Sequence, residues 1–146
     1  MRKGFTLIEL LVVIAIIGLL SSLAVVSLGN IREKARDTKR ISDMSAYQQG
    51  MELVKDKNGG YNVSLGCGPG AKRAYQCTGG DLEEFLPGIQ GMNDPLWKTG
   101  DPGCKASCVK GCAYVLESVA KDSFQLSFYL ENGAGQFTDP GCYYLT

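Results

Sequence analysis

Glu9 is the first residue whose type and position demand a chemical account. It lies inside an apolar run of 24 residues, Phe5 to Leu28, that carries no other charge. An unpaired carboxylate in hydrocarbon is costly, so an acid within a stretch long enough to enter a membrane is a functional candidate. It needs a cation. A break between Gly4 and Phe5 would create one, the α-amino group of Phe5, but a helix aims that amine away from the Glu9 side chain of the same chain. A second copy, displaced along the axis, can offer its amine instead.

The other chemistry-bearing residues lie in the second half. Cys104, Cys108 and Cys112 recur at intervals of four, which on a helix would place three sulfurs on one face, a possible thiolate metal site. The spacing is not the C-x-x-C pair of zinc ribbons, and the chain has no histidine to complete a site. All six cysteines fall between Cys67 and Cys142, downstream of an export-type segment, so they read as a disulfide framework in an oxidising compartment. Cys67 and Cys77 suit a local loop closure around Gly68-Pro69-Gly70. The remaining four make two bonds whose pairing the spacing leaves open. Asp94, Asp101 and Asp139 are weak calcium candidates, because an acid beside proline or glycine is also ordinary turn chemistry.

No catalytic constellation assembles from what remains. Histidine is absent, which removes the commonest general base, and neither a P-loop nor a dinucleotide-binding glycine pattern occurs. The expectation is a protein that is not an enzyme and needs no cofactor. The 15 basic residues balance 15 acidic ones, so net charge gives no reason to expect a nucleic-acid partner.

The elements that must position these groups follow from periodicity. The apolar run would make a helix of about 36 Å, enough to cross a bilayer core of about 30 Å. From Ile31 the pattern turns amphipathic, with Ile31, Ala35, Ile41, Met44, Met51 and Val54 forming one stripe. No proline interrupts Phe5 to Lys57, and Asn58-Gly59-Gly60 is a helix stop. Residues 61–112 are loop-rich, with a short helix expected over Asp81–Leu86 capped by Asp81. From residue 113 the period becomes two, predicting strands over Ala113–Val119, Phe124–Glu131 and Cys142–Thr146. The fold class is α+β: a long N-terminal helix packed by its second half on a small antiparallel sheet, with a disulfide-stapled loop region.

Lys3-Gly4-Phe5-Thr6-Leu7-Ile8-Glu9-Leu10 resembles the processing site of type IV prepilins and of the related pseudopilins of type II secretion. The resemblance implies a pilin-like fold and a division into a leader at 1–4, a transmembrane and filament-core helix at 5–28, an amphipathic continuation at 29–57 and a globular head at 58–146. It implies that a membrane-embedded prepilin peptidase and N-methyltransferase cuts after Gly4 and methylates Phe5. Glu9 would then register each subunit against the next in a helical homo-oligomer raised by assembly machinery. The implied location is the cytoplasmic membrane, single-pass with the N-terminus inside and the head outside, then a filament at the cell surface. One departure is the lack of proline over Leu23–Ser27, where many members carry one near the end of the apolar run.

A type IV pilus subunit is therefore the leading expectation, with a type II secretion pseudopilin as the first alternative. A secreted or anchored cysteine-rich binding protein is the second, because Arg2-Lys3, the apolar run and Ser22-Leu23-Ala24 also fit a discarded secretory signal. Glu9 argues against that, since an acid has no purpose in a segment that is thrown away. The Lys/Arg count runs the other way on topology: Arg32, Lys34, Arg36, Lys39 and Arg40 follow the run, against two bases before it, which by charge alone would hold the C-terminal side in the cytoplasm. The cysteines outweigh that count. The basic cluster itself reads as a solvated helix face, or as a surface for lipid headgroups, nucleic acid or the acids of neighbouring subunits.

Overall fold

The structure is a computed structural model; it describes residues 4–62, 65–67, 72–98 and 108–146, with the side chains of Val26, Ser27 and Lys72 left aside. One helix, α1, runs over Leu7–Asn58. It ends where Gly59 adopts φ 73° and donates its backbone N–H to the Lys55 carbonyl at 2.7 Å, the left-handed stop that a side chain would disfavour. The chain divides into two compact units, Met1–Glu33 and Lys34–Thr146, a break that falls beyond the expected end of the apolar run at Leu28.

In the first unit the described large apolar side chains from Phe5 to Ile31 are exposed, as a segment built for contact with lipid or with other helices requires. The helix is long and apolar enough to cross a membrane.

In the second unit a sheet packs against the remainder of α1. Its strands, β1 (Lys72–Arg73), β2 (Val115–Val119), β3 (Phe124–Leu130) and β4 (Gly141–Leu145), lie in the order β1-β2-β3-β4 and are antiparallel throughout. The register places Val119 opposite Phe124 and Leu130 opposite Gly141, with an irregularity between Leu116 and Ser118. Helix α2 covers Asp81–Phe85. Three sequence expectations are corrected here. Strand β1 lies in a region read as loop, and its two residues are too few for any period to show. The cap of α2 is Gly80, so Asp81 stands in the first turn, where its charge favours the helix end without a capping hydrogen bond.

The third correction concerns the buried stripe of α1. Ile31 and Ala35 are exposed, and the buried positions are Asp37, Arg40, Met44, Tyr47, Gly50, Met51 and Val54. The lower part of this stripe joins Tyr61, Leu82, Ile89, Tyr114, Leu116, Phe124, Leu126, Phe128 and Leu130 in one core, with Tyr61 edge-on to Phe124 at 5.0 Å. The upper part is ionic. Gly50 marks where α2 comes close: a Cβ there would lie 3.2 Å from Leu82 Cδ1 and 3.5 Å from Leu86 Cβ.

Candidate functional site

The two groups of residues with chemical potential lie in different units. In the first unit, Thr6 immediately precedes α1, and Glu9 stands in its first turn. Glu9 Oε2 accepts the Thr6 backbone N–H at 2.8 Å and the Thr6 hydroxyl at 2.6 Å, while the Thr6 hydroxyl oxygen receives the Glu9 N–H at 3.3 Å. This is a capping box, in which two side chains satisfy helix-end N–H groups reciprocally, and the carboxylate also sits at the favourable end of the helix dipole. Sequence reasoning found no partner for Glu9 within its own chain and so missed Thr6. The signal was the spacing Thr-x-x-Glu.

Among the described residues Glu9 Oε1 has no hydrogen-bond partner, so one oxygen is held by Thr6 and the other is left to solvent on an exposed side chain. Phe5, Ile8, Val12 and Val13 surround Glu9 in an open apolar groove. Such a groove suits another apolar helix carrying one cation. Gly4 and Phe5 are both exposed.

In the second unit the end of the basic run is turned inward. Arg40 is fully buried, and four of its N–H groups meet carboxylates: Nε to Asp94 Oδ2 at 2.7 Å, Nη2 to Asp94 Oδ1 at 2.9 Å, Nη1 to Asp37 Oδ1 at 2.7 Å, and Nη1 to Glu131 Oε1 at 2.8 Å. Arg36 forks onto both oxygens of Glu131 at 2.6 and 2.8 Å, and Lys110 reaches Glu131 Oε2 at 3.1 Å. Asp37 also receives the backbone N–H groups of Glu131 and Asn132, closing the end of β3. One cation thus joins α1, the turn at Asp94 and the end of β3.

Three acids and three bases balance inside this cluster, as buried charge must. Burial works against the Arg40 charge, but the carboxylates of Asp94, Glu131 and Asp37 outweigh it and hold the guanidinium above its ordinary pKa. Arg36, opposed by burial and helped by Arg40 and Lys110, pulls the Glu131 carboxyl down to about 2. Beside the cluster, Asp43 accepts both Lys39 Nζ at 2.7 Å and the Tyr114 hydroxyl at 2.9 Å.

The cluster revises several expectations. Arg36, Lys39 and Arg40 are engaged by acids of their own chain, so three of the five bases counted as a solvated or ligand-binding face serve the fold. Their presence behind the apolar run has this structural reason, which weakens the charge-count argument against an exported head. Asp94 is not open to calcium, because both its oxygens are occupied by Arg40 and Oδ1 also accepts the Leu96 N–H at 2.8 Å. Asp139 is exposed and accepts the Thr138 hydroxyl. Asp101 lies outside the described residues, among which no group of His, Cys, Asp and Glu is placed to hold a metal ion.

The cysteines form bonds. Cys67 pairs with Cys77 and Cys108 with Cys142, and Cys112 is disulfide-bonded as well, while Cys104 lies outside the described residues. Cys108 has φ 55°, so a helical face of three sulfurs does not form.

Comparison with known proteins places the N-terminal segment. Residues 1–25 match the family model described as "Prokaryotic N-terminal methylation motif". The type II secretion system core protein G of Escherichia coli (strain K12) is 43% identical over 60 residues, a segment that covers 41% of this chain and 41% of that protein. The core protein G of Aeromonas hydrophila is 42% identical over 60 residues, with 41% of this chain and 42% of that protein covered. A longer match joins 85% of this chain to 94% of the prepilin peptidase-dependent protein D of Escherichia coli (strain K12), at 28% identity. The chain thus spans less than half the length of the core G proteins it matches, and no solved structure matches it. The methylation motif, the 60-residue likeness to core protein G and a long helix packed on a small antiparallel sheet together support a place among type IV pilins and type II secretion pseudopilins.

Proposed function

We propose that this chain is the structural subunit of a type IV pilus or pilus-like filament, working by assembly and not by catalysis. Its precursor sits in the cytoplasmic membrane with the head outside, is cut between Gly4 and Phe5, and is methylated on Phe5. Extraction from the membrane then bundles the apolar helices into the filament interior, and the heads coat the surface. The observation that carries this reading is Glu9, the one charge in a 24-residue apolar run that the methylation motif matched over residues 1–25 largely overlaps. With Oε2 engaged by Thr6, the outward Oε1 is available to the Phe5 amine of the next subunit, which would otherwise enter an apolar bundle unpaired.

The test is Glu9→Val in cells that produce the chain and its assembly machinery. Membrane insertion and cleavage should persist while filament yield collapses. Filaments of normal rise and yield from the variant would remove the assigned role of Glu9.

The second reading, a pseudopilin whose short filament drives secretion, is favoured by the matches to core protein G, which fall on 60 residues. Electron microscopy separates the two, since the pilus reading requires long surface fibres and the pseudopilin reading requires none beyond the envelope at native expression.

A further inference from the structure

The disulfides differ in what shields them. Cys77 is fully buried beneath the core, with the Tyr47 hydroxyl 3.9 Å from its sulfur, and Cys67 is half-buried. Cys142 is exposed, and its partner Cys108 is half-buried. Cys142 also occupies an unusual position, the second residue of β4, which is the last strand in the order of the sheet and pairs only with β3 among the described strands.

None of the residues of β4 is buried. Gly141, Tyr143 and Leu145 are half-buried, while Cys142, Tyr144 and Thr146 face solvent. Besides its ladder to β3, the strand is held by the Tyr143 ring, 4.6 Å from Phe137 and 5.9 Å from Phe128, and by the Tyr143 hydroxyl donating to the Asp139 carbonyl at 2.8 Å. By contrast β3 is largely buried. A covalent bond on a strand with no buried residue therefore restrains an element of low local stability.

We propose that Cys142 is a thiol–disulfide exchange site, at which an external dithiol releases the C-terminal strand while the core disulfide stays closed. The thiolate of the dithiol attacks the exposed Cys142 sulfur, a bond forms between them, and Cys108 leaves as a thiolate that takes up a proton. The second thiol of the dithiol then attacks the mixed disulfide. Cys142 departs as a thiol, and the dithiol becomes a cyclic disulfide, having supplied two electrons. Accessibility favours this bond, because the attacking thiolate needs an open line to a sulfur: Cys142 is exposed, whereas in the core bond Cys67 is half-buried and Cys77 fully buried. The product keeps its core and gains a mobile β4, uncovering the backbone edge of β3 over Leu126–Leu130.

The test uses the intact folded protein in mild detergent, treated with dithiothreitol, quenched with an alkylating agent and mapped by mass spectrometry. Cys108 and Cys142 should be labelled at least about tenfold faster than Cys67 and Cys77, as expected when one bond opens locally and the other only with the core. Hydrogen exchange on the same samples should rise over 141–145 and stay slow over 47–54. Equal labelling of the four cysteines, earlier labelling of Cys67 and Cys77, or unchanged protection of β4 after Cys108 and Cys142 are labelled would each overturn the proposal. The variant Cys108→Ser/Cys142→Ser supplies an independent arm. It should retain the near-ultraviolet spectrum of the native head; a variant that loses it would show the bond to be integral to the core and would equally overturn the assignment.

Discussion

Replacing Arg40 by methionine keeps an unbranched side chain at a fully buried position and removes the one cation that joins three chain segments. Asp37 would retain the N–H groups of Glu131 and Asn132, and Glu131 would retain Arg36 and Lys110. Asp94 loses most, since Arg40 engages both its carboxylate oxygens and only the Leu96 N–H would remain on them among the described residues. Removing one partner of a buried ion pair costs about 3–5 kcal/mol, because the remaining charge is left uncompensated. For a unit of this size that lowers the melting temperature by roughly 10–20 °C. The assay is thermal unfolding of the full chain in detergent, followed by near-ultraviolet circular dichroism and by the fluorescence of Trp97, the single tryptophan, whose backbone N–H donates to the Asp94 backbone carbonyl. Because the cost sits on the orphaned Asp94 charge, Arg40→Met/Asp94→Asn should recover part of the loss. The exposed pair Lys39–Asp43 serves as control, and Lys39→Ala should cost no more than about 1 kcal/mol. A loss within about 1 kcal/mol of zero for Arg40→Met, or a double variant no better than the single one, would refute the reasoning.

Acid should loosen the same cluster. The Glu131 carboxyl has its pKa depressed from 4.5 to about 2, so its contribution is present above pH 4.5 and is lost as pH falls toward 2. Unfolding midpoints measured across that interval should drop steeply, and Glu131→Gln should flatten the drop; a wild-type curve already flat there contradicts the assignment. Thr6→Val breaks the capping box, so hydrogen exchange over residues 7–10 should accelerate with the second unit unchanged, whereas an unaltered rate would mean the box does not hold the helix start. Gly50→Leu drives a side chain into Leu82 and Leu86 and should destabilise the head by about 1–3 kcal/mol, with denaturant unfolding as the readout and an unchanged midpoint as the contrary result.

The features legible in the sequence were those with a repeat or a fixed spacing. The unbroken helix, its Gly59 stop, the three longer strands and the α+β class follow from periods of 3.6 and 2 and from glycine at a turn. Core positions at Met44, Met51 and Val54 were readable because they are apolar. Asp37 and Arg40 were not, although they continue the same stripe at intervals of three and four, because a hydrophobic pattern scores a buried charge as surface. Their partners Asp94 and Glu131 lie 54 and 91 residues beyond Arg40, a separation at which local spacing carries no information. The closure of Cys67 on Cys77 was local and so visible, while Cys108–Cys142 depends on how β4 returns to the sheet. Thr6 was overlooked for a different reason: Glu9 invited a search for a cation, and a capping box satisfies a carboxylate with N–H and O–H groups instead.

The central claim, a subunit matured at Gly4 and assembled through Glu9, is tested most directly by the intact mass of the mature protein isolated from its own cells, with and without reduction. The account requires a chain that begins at Phe5, carries one methyl group on its amine, and reveals thiols to alkylation only after reduction. A chain that begins near Val25 would mean that Glu9 is discarded with a secretory signal. That result would contradict assembly through the helix N-terminus and leave a soluble, disulfide-stapled head.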